Sequence, residues 1–270
     1  MKTIIRNFLS VVRRFQTATV LNIIGLSVAF TAVIVIMMQV TYDLGFDSNQ
    51  PEADNIYRIE TELPGRHIAV VPRPLMDNIK ASSPHIKAAA FSSAVAIDMY
   101  DWFFQVESET DNSHYSGKVI SVSADYTDIF QFDMVEGSAS RINEPQTVLI
   151  PESLAKKIFG DESAIHKYLI EENFKLIIGG VYKDFPDNSS TKNVMYTKYP
   201  DSQDKENWSN FAYEGYVLVE PTAQIDEILD TYTKSLDPEI YKDANTKGVK
   251  FKAVPLKKVH FNTYAEFDYV

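Results

Sequence analysis

The feature that most constrains this chain is an uncharged, apolar run at residues 20–40, VLNIIGLSVAFTAVIVIMMQV. As a helix, a run of this length would extend about 31 Å, which matches a bilayer core about 30 Å thick. A helix buried in a soluble protein would normally carry a polar stripe, whereas the polar residues here are few and partly terminal. The run therefore predicts a transmembrane helix, which we place at residues 19–42.

A cleaved signal peptide is the main alternative for an apolar run so close to the N-terminus. However, the run exceeds the usual length of a signal-peptide core, and no small-x-small cleavage site follows it. The next residues are Thr41, Tyr42 and Asp43, a composition that suits a membrane interface. We therefore expect an uncleaved anchor.

The distribution of charge predicts how this anchor is oriented. Only basic charges precede the run, on Lys2, Arg6, Arg13 and Arg14, and the first acidic residue is Asp43. The remaining 22 basic residues face all 37 acidic ones, which gives that part a net charge of −15. The positive-inside rule then puts the N-terminus in the cytosol and the main domain across the membrane.

Charge and cysteine content narrow the setting further. The acidic outer part argues against nucleic acid as a partner, because binding to phosphates requires basic surfaces. The chain has no cysteine, whereas a secreted eukaryotic domain of this size usually carries disulfides. The lack of cysteine favours a bacterial envelope protein, and with the orientation above we expect an anchor in the bacterial inner (cytoplasmic) membrane and the main domain in the periplasm.

The first 18 residues have a pattern of their own. Apolar residues recur at intervals of three and four, while the basic residues lie mainly on the other side of a helical wheel; the apolar set is Ile4, Ile5, Phe8, Leu9, Val12 and Phe15. This pattern predicts a cytosolic amphipathic basic helix on the inner leaflet. The alternative is a solvated extension of the membrane helix.

Within the predicted span, Gly25 and Ala29 form a small-xxx-small pair, and Ala32 lies on nearly the same face. Small residues let helix backbones approach closely in lipid. These three residues are therefore the candidate helix-packing site, although such a pattern also arises by chance.

After Gly45 the sequence is typical of mixed secondary structure. Runs rich in β-branched and aromatic residues predict strands at 55–62, 86–98, 102–107, 115–121, 147–150, 174–182, 212–219 and 249–254. Helices are predicted at 72–81, 125–130, 152–159 and 224–235, with Gly160 ending the third. Because no regular βαβ rhythm appears, residues 43–270 predict an α+β domain with a largely antiparallel sheet, arranged in one body or two lobes.

Two local patterns allow more specific predictions. Gly179 and Gly180 fall inside a predicted strand, which indicates a bulge or a close approach of backbones. Tyr100, Trp102, Phe103 and Phe104 could form a binding or membrane-facing patch, but alternation of core and solvent faces along a strand is the better interpretation.

The chain lacks the motifs of common enzyme and metal sites. Neither G-x-x-x-x-G-K-[ST] nor G-x-G-x-x-G occurs, nor does the serine-nucleophile pattern G-x-S-x-G. The five histidines are too far apart in sequence for typical zinc-ligand spacing; they are His67, His85, His114, His166 and His260. We therefore expect no catalytic activity, no metal and no cofactor.

Four sequence blocks resemble a known family. They are NIIGLS at 22–27 followed by YD and FD up to residue 47; IFQF at 129–132 with EG; VLIPESLAKKIFGD at 148–161; and GVYKDFPDNSS at 180–190. A closing PLKKVHF at 255–261 is similar to the segment that returns to the membrane. In order and spacing, the chain resembles the N-terminal part of bacterial ABC transporter permeases of the FtsX/MacB type.

This resemblance implies a first transmembrane helix followed by a MacB-like periplasmic core domain. It further implies a separate cytosolic ABC ATPase, additional transmembrane helices that these residues do not include, and a homodimer of permeases. The domain would transmit ATP-driven motion across the membrane, in export or mechanotransmission, without catalysis of its own. The alternative is a stand-alone anchored binding or sensor domain, and a membrane-tethered enzyme is a third hypothesis.

Overall fold

The computed structural model describes residues 2–93, 101–106, 113–171, 174–241, 246–262 and 265–266. Clustering of backbone contacts divides the chain into two compact units, Met1–Gly45 and Phe46–Val270. The first unit is helical, and the second contains the sheet and all the remaining helices of the described residues.

The first unit consists of helix α1 (Lys2–Arg14) and helix α2 (Gln16–Leu44). Phe15 separates them, with a non-helical backbone at φ −119° and ψ 49°. Helix α2 has 29 residues and therefore extends about 43 Å. None of its side chains is buried within the protein, and by length and composition it can cross a membrane. It extends the predicted helix by three residues at its start and two at its end.

The second unit begins with strands β1 (Ile56–Leu63), β2 (Arg66–Ile68) and β3 (Val71–Pro72), helix α3 (Arg73–Ser82) and strand β4 (Ile86–Ser93). Its middle contains β5 (Trp102–Val106), β6 (His114–Gly117), β7 (Val119–Val122), α4 (Tyr126–Ile129), β8 (Met134–Gly137), β9 (Thr147–Pro151) and α5 (Glu152–Phe159). It continues with β10 (Tyr168–Glu171), β11 (Phe174–Tyr182), β12 (Met195–Lys198), β13 (Phe211–Val219), α6 (Ile225–Ser235), β14 (Lys250–Pro255) and α7 (Leu256–Val259).

All fourteen strands of the described residues belong to one mixed sheet. Its main path is β14-β1-β13-β4-β7-β12-β9-β11-β10-β5-β6, with β2, β3 and β8 paired at its sides. Only β9 with β11 and β7 with β12 pair in parallel, and the other pairings within the described residues are antiparallel. The predicted α+β class with a largely antiparallel sheet is therefore confirmed.

The sheet has two halves that meet at a narrow connection. Strand β4 pairs with β7 through one residue pair, Ser92 with Val122. Helices α3 and α6 cover one core cluster beside the first half, and α5 packs on another beside the second half. A third cluster draws residues from both halves, including Tyr216 and Tyr182. The two lobes that the sequence allowed thus share one core and form a single compact unit.

Most of the longer predicted elements are confirmed within a residue or two. The predicted strand 115–121 is wrong as a single element, because Lys118 divides it into β6, which pairs with β5, and β7, which pairs with β4 and β12. Strands β2, β3, β8, β10 and β12 were not predicted, since each has only two to four residues. The predicted strand 86–98 corresponds to β4, and its residues 94–98 lie outside the described residues.

The glycine pair in β11 behaves as predicted. The pairing register with β9 shifts between Ile178 and Gly180, which is the bulge. The backbone approach is also close, because a Cβ atom on Gly137 of β8 would lie 2.9 Å from the Gly180 Cα, and one on Gly180 would lie 3.3 Å from the Ser138 carbonyl oxygen. A side chain at Gly180 would also have to displace the ends of the Met134 and Leu149 side chains.

The aromatic run in β5 follows the alternation that the sequence favours. Phe104 is 1% exposed and belongs to the core, whereas Phe103 is 61% exposed. Trp102 is partly buried and stacks on Phe104 at a ring distance of 5.0 Å. Tyr100 lies outside the described residues.

Candidate functional site

The chain enters the second unit at Phe46, two residues after α2 ends. Asp47 follows with φ +56°, a left-handed conformation that aspartate adopts more readily than most residues. This turn directs the Asp47 side chain into the interior, where its exposed fraction is 0%. We call residues 46–55 the incoming segment.

The Asp47 carboxylate holds the loop at residues 188–190. Its Oδ1 accepts hydrogen bonds from the backbone N–H of Ser190 at 2.6 Å and from the hydroxyl of Ser189 at 3.3 Å. Its Oδ2 accepts the Ser190 hydroxyl at 2.6 Å, and the Asp47 N–H donates to the Asn188 carbonyl at 2.9 Å. Four hydrogen bonds thus join two segments that lie more than 140 residues apart.

Burial raises the pKa of Asp47 above its ordinary value, because removal from water disfavours the charged form. The hydrogen bonds from Ser190 and Ser189, and the positive charge of Lys192, oppose this shift without cancelling it. The carboxylate therefore costs free energy to ionise where it lies, and the serines offset part of that cost.

Gln50 fastens the incoming segment at a second point. It is 3% exposed, and its side-chain carbonyl accepts the Gln131 N–H at 2.8 Å. The backbone N–H of Gln50 donates to the backbone carbonyl of Asp47, which closes the turn between these two residues. The incoming segment is therefore bound to the loop after α4 as well as to the loop after β11.

The segment from the end of β14, residues 255–262, lies against the incoming segment, and we call it the outgoing segment. His260 stacks on Phe46 with ring centroids 4.1 Å apart and an interplanar angle of 12°. Leu256 and Val259 are buried, and Lys257 pairs with Asp54 at 2.7 Å. Beyond this segment, Glu266 pairs with Ile68 of β2. The start of the second unit and the outgoing segment therefore contact each other directly.

A buried charged cluster lies under the outgoing segment. Arg58 and Glu60 are both fully buried on β1, with Nη2 of Arg58 2.6 Å from Oε1 of Glu60. Asn262 donates to both Glu60 oxygens at 2.9 Å, and Nε2 of His67 lies 2.6 Å from the Glu60 Oε2. Such a pair contributes little net stability, but loss of one partner costs roughly 3–5 kcal/mol. The cluster therefore fixes the position of the outgoing segment.

Sequence reasoning missed both the Asp47 contacts and this cluster. The alternation of Arg58 and Glu60 with the apolar Tyr57 and Ile59 places two charged side chains on one face of β1, but this pattern is typical of a solvent-facing polar face and gave no signal of their burial. We name the Asp47, Gln50 and His260 contacts together with the Arg58–Glu60 cluster the junction.

A family model for the MacB-like periplasmic core domain matches residues 19–234 of this chain. The chain belongs to the MacB-like periplasmic core domain family. The family and the apolar helix α2 together indicate a membrane-anchored periplasmic domain of a MacB/FtsX-like ABC transporter permease.

Solved structures support the same fold. A crystal structure of a domain assigned to a permease protein from Porphyromonas gingivalis matches with a TM-score of 0.64 and 24% identity, over 76% of this chain and 91% of that one. The periplasmic region of MacB from Actinobacillus actinomycetemcomitans matches with a TM-score of 0.51 and 15% identity, over 77% and 92% of the two chains. A search among curated proteins found no match.

In this MacB-like domain, the junction brings together the sequence blocks that carried the resemblance. Residues 46–47 contact the fourth block through Ser190 and the closing block through His260. Gln50 contacts Gln131 of the second block, and Asp184 of the fourth block accepts the Ser153 N–H at the start of α5. The blocks are therefore connected in space as well as ordered in sequence.

The predicted helix-packing residues Gly25, Ala29 and Ala32 lie on α2, where their side of the helix is uncovered by the rest of the first unit. No atom lies within 4 Å of a Cβ atom built on Gly25. The surface is thus available for another helix, and the packing role stays a prediction.

A groove of about 560 Å³ lies between the end of α3 and helix α6. Hydroxyl groups of Ser82, Ser83 and Thr231 line it, together with Glu227 and the half-buried Tyr232. The groove is open to solvent, whereas most small-molecule sites enclose the greater part of the ligand surface. Within the described residues, no cluster of three or more His, Cys, Asp or Glu side chains is arranged to hold a metal ion.

Proposed function

We propose that this chain is the first span and periplasmic domain of an ABC permease, and that it transmits ATP-driven motion from the membrane to the periplasm without catalysis of its own. The observation that carries the proposal is the Phe46–His260 stack, which joins the incoming and outgoing segments. Movement of membrane helices before and after the domain would reach it close to this contact.

The junction is suited to this role because it resists deformation. A tension applied at Phe46 meets the Asp47 and Gln50 hydrogen bonds within the next four residues. The Asp47 and Gln50 side chains are buried, and breaking these bonds would leave their polar groups unpaired in the interior at about 1–3 kcal/mol each. The load therefore passes to β11 and to the loop after α4 before the incoming segment can detach.

The proposal includes a location and partners. The N-terminus lies in the cytosol of a bacterial cell, residues 19–42 cross the inner membrane, and residues 43–270 lie in the periplasm. A cytosolic ABC ATPase supplies the motion, and the complete permease pairs as a homodimer. The face formed by Gly25, Ala29 and Ala32 packs against other permease helices, since small residues favour close helix contacts in lipid.

Purification from native membranes tests the association with an ATPase. We expect an affinity-tagged native protein, extracted in mild detergent and analysed by quantitative mass spectrometry, to contain an ABC ATPase in stoichiometric amount. An unrelated tagged membrane protein from the same cells serves as the control. Recovery of the intact protein without any ABC ATPase would contradict the proposal and favour a stand-alone anchored domain.

A further inference from the structure

Helix α1 has an unusually clean division between polar and apolar positions. At about 100° per residue, its apolar positions fall within a sector of about 160° and its polar positions within about 140°. The apolar positions are 4, 5, 8, 9, 11 and 12, and the polar ones are 2, 3, 6, 7, 10, 13 and 14. Every position of the helix therefore belongs to one of two opposite faces.

The polar face carries only positive charge. Positions 2, 6 and 13 fall within about 40° of one another and form a basic stripe, with Arg14 to one side. No acidic residue occurs in α1. Arg6, Arg13 and Arg14 are exposed, so their guanidinium groups can reach an external partner.

Two residues of the apolar face are exposed in the first unit, Ile4 at 73% and Ile5 at 55%. Phe15, which follows the helix, is also 55% exposed and has the Arg14 guanidinium 5.6 Å from its ring centroid. Transfer of exposed isoleucine and phenylalanine side chains from water to an apolar medium is favourable.

The break at Phe15 makes α1 a helix distinct from the span. Since φ and ψ at Phe15 are non-helical, α1 is not a continuous extension of α2. It is nevertheless attached directly to a helix of membrane-spanning length. Covalent attachment thus holds an amphipathic, basic helix at the end of a membrane span.

We propose that α1 binds the anionic phospholipid surface of the cytoplasmic leaflet, with its apolar face among the upper acyl chains and Arg6, Arg13 and Arg14 against lipid phosphates. Arginine pairs well with phosphate because its planar guanidinium can donate two hydrogen bonds at once. An acidic protein surface could attract the same charges, but it would offer no apolar medium for the exposed Ile4 and Ile5 side chains. This inference rests on the membrane placement of α2 in the proposed function.

The absence of cysteine makes the test direct, since single nitroxide labels need no background substitutions. The full chain would be labelled separately at Ile5→Cys, Ser10→Cys and Ile34→Cys, and placed in nanodiscs of phosphatidylcholine alone or with added phosphatidylglycerol. Power-saturation electron paramagnetic resonance then compares collisions of each label with oxygen, which concentrates in lipid, and with a water-soluble nickel chelate.

With phosphatidylglycerol present, we expect the Ile5 label to favour oxygen and the Ser10 label to favour the nickel chelate. Substituting Arg6, Arg13 and Arg14 by Gln should weaken the binding of α1 to the lipid surface, with a decrease on the order of 100-fold in the binding equilibrium constant. The matched control substitutes Gln for three exposed basic residues of the second unit, Lys234, Lys250 and Lys252. It should leave the lipid binding of α1 unchanged.

The Ile34 label separates the two proposals. If it favours oxygen while the Ile5 and Ser10 labels both contact the nickel chelate, α2 is in lipid but α1 is not bound, and the inference is overturned alone. Equal lipid contact at Ile5 in both lipid mixtures would overturn the anionic preference. If Ile34 itself contacts the nickel chelate, the membrane placement of α2 fails, and the inference fails with it.

Discussion

At the scale of single residues, Asp47 carries the most demanding combination of properties in the described structure. It has a left-handed backbone, a fully buried side chain and four hydrogen bonds to one distant loop. Each property limits which residues can replace it, since few side chains both tolerate positive φ and accept three hydrogen bonds.

Substitutions at Asp47 should separate these properties. We expect Asp47→Ala to destabilise the second unit by about 2–4 kcal/mol. The substitution removes the carboxylate that accepts three hydrogen bonds, and alanine tolerates a positive φ less well than aspartate does. Asp47→Gly should cost about 1–2 kcal/mol less, since glycine removes the backbone strain. Denaturation of the detergent-solubilised chain, followed by tryptophan fluorescence, measures these differences.

The control for this series is Asp54→Ala. Asp54 is exposed and pairs only through a surface contact with Lys257, so its loss should cost less than about 1 kcal/mol. Equal destabilisation by Asp47→Ala and Asp54→Ala would show that the buried hydrogen bonds do not hold the incoming segment.

Stability should also depend on pH through Asp47. Its pKa is raised in the folded state, so the folded protein binds this proton more tightly than the unfolded chain. Between the ordinary carboxyl pKa near 3.8 and the raised folded value, this group therefore lowers the free energy of unfolding as pH rises. Relative to Asp47→Asn, the wild-type protein should lose stability as the pH increases from about 3 to 7.

Parallel denaturation curves at several pH values check this dependence. Groups such as Asp204, whose pKa is lowered by hydrogen bonds from Tyr213 and Asn207, are present in both proteins and cancel in the comparison. A wild-type protein that gains stability over Asp47→Asn with rising pH would show that the hydrogen bonds outweigh burial.

At the scale of elements, the sequence indicates long strands and helices but not the shortest ones. Strand β11 and helix α5 agree with their predicted bounds because each has eight or more patterned residues. Strands β2 and β3, with three and two residues, have too few positions to show alternation. Lys118 divides β6 from β7 because the two strands take partners in different parts of the sheet, which no local pattern encodes.

Gly137 illustrates how one position can let two strands approach closely. It has φ +72° in β8, and a Cβ atom there would overlap the Gly179 carbonyl oxygen and lie 2.9 Å from the Gly180 Cα. We expect Gly137→Ala to destabilise the second unit by about 2–5 kcal/mol, the sum of backbone strain and overpacking. Thermal or chemical denaturation measures the effect.

Gly160, which ends α5, provides the matched control. It has a similar φ of +61°, with ψ −121°, and no atom of another element lies within 4 Å of its Cβ position. Gly160→Ala should therefore cost only backbone strain, about 1–3 kcal/mol. Similar losses at the two positions would mean that the β8–β11 contact can relax without cost.

At the scale of the whole molecule, the sequence predicts the class of fold better than its connections. Charge and hydropathy indicate a span and an outer domain, and ordered motifs indicate the family. The junction could not be predicted, because residues 46–50 meet partners about 80, 140 and 210 positions away. Burial of Arg58 and Glu60 likewise depends on β13, β14 and the outgoing segment, which cover β1 only in the folded domain.

The central claim is that ATP-driven motion reaches the periplasmic domain. The most direct measurement is energy transfer between a fluorophore at Lys252→Cys and acceptor-labelled lipid, in nanodiscs holding the complete permease with its ATPase. We predict a change in transfer efficiency when ATP and Mg²⁺ are added, and a smaller change in the Asp47→Ala protein than in Asp54→Ala. Unchanged transfer in the wild-type complex while ATP is being hydrolysed would contradict the claim.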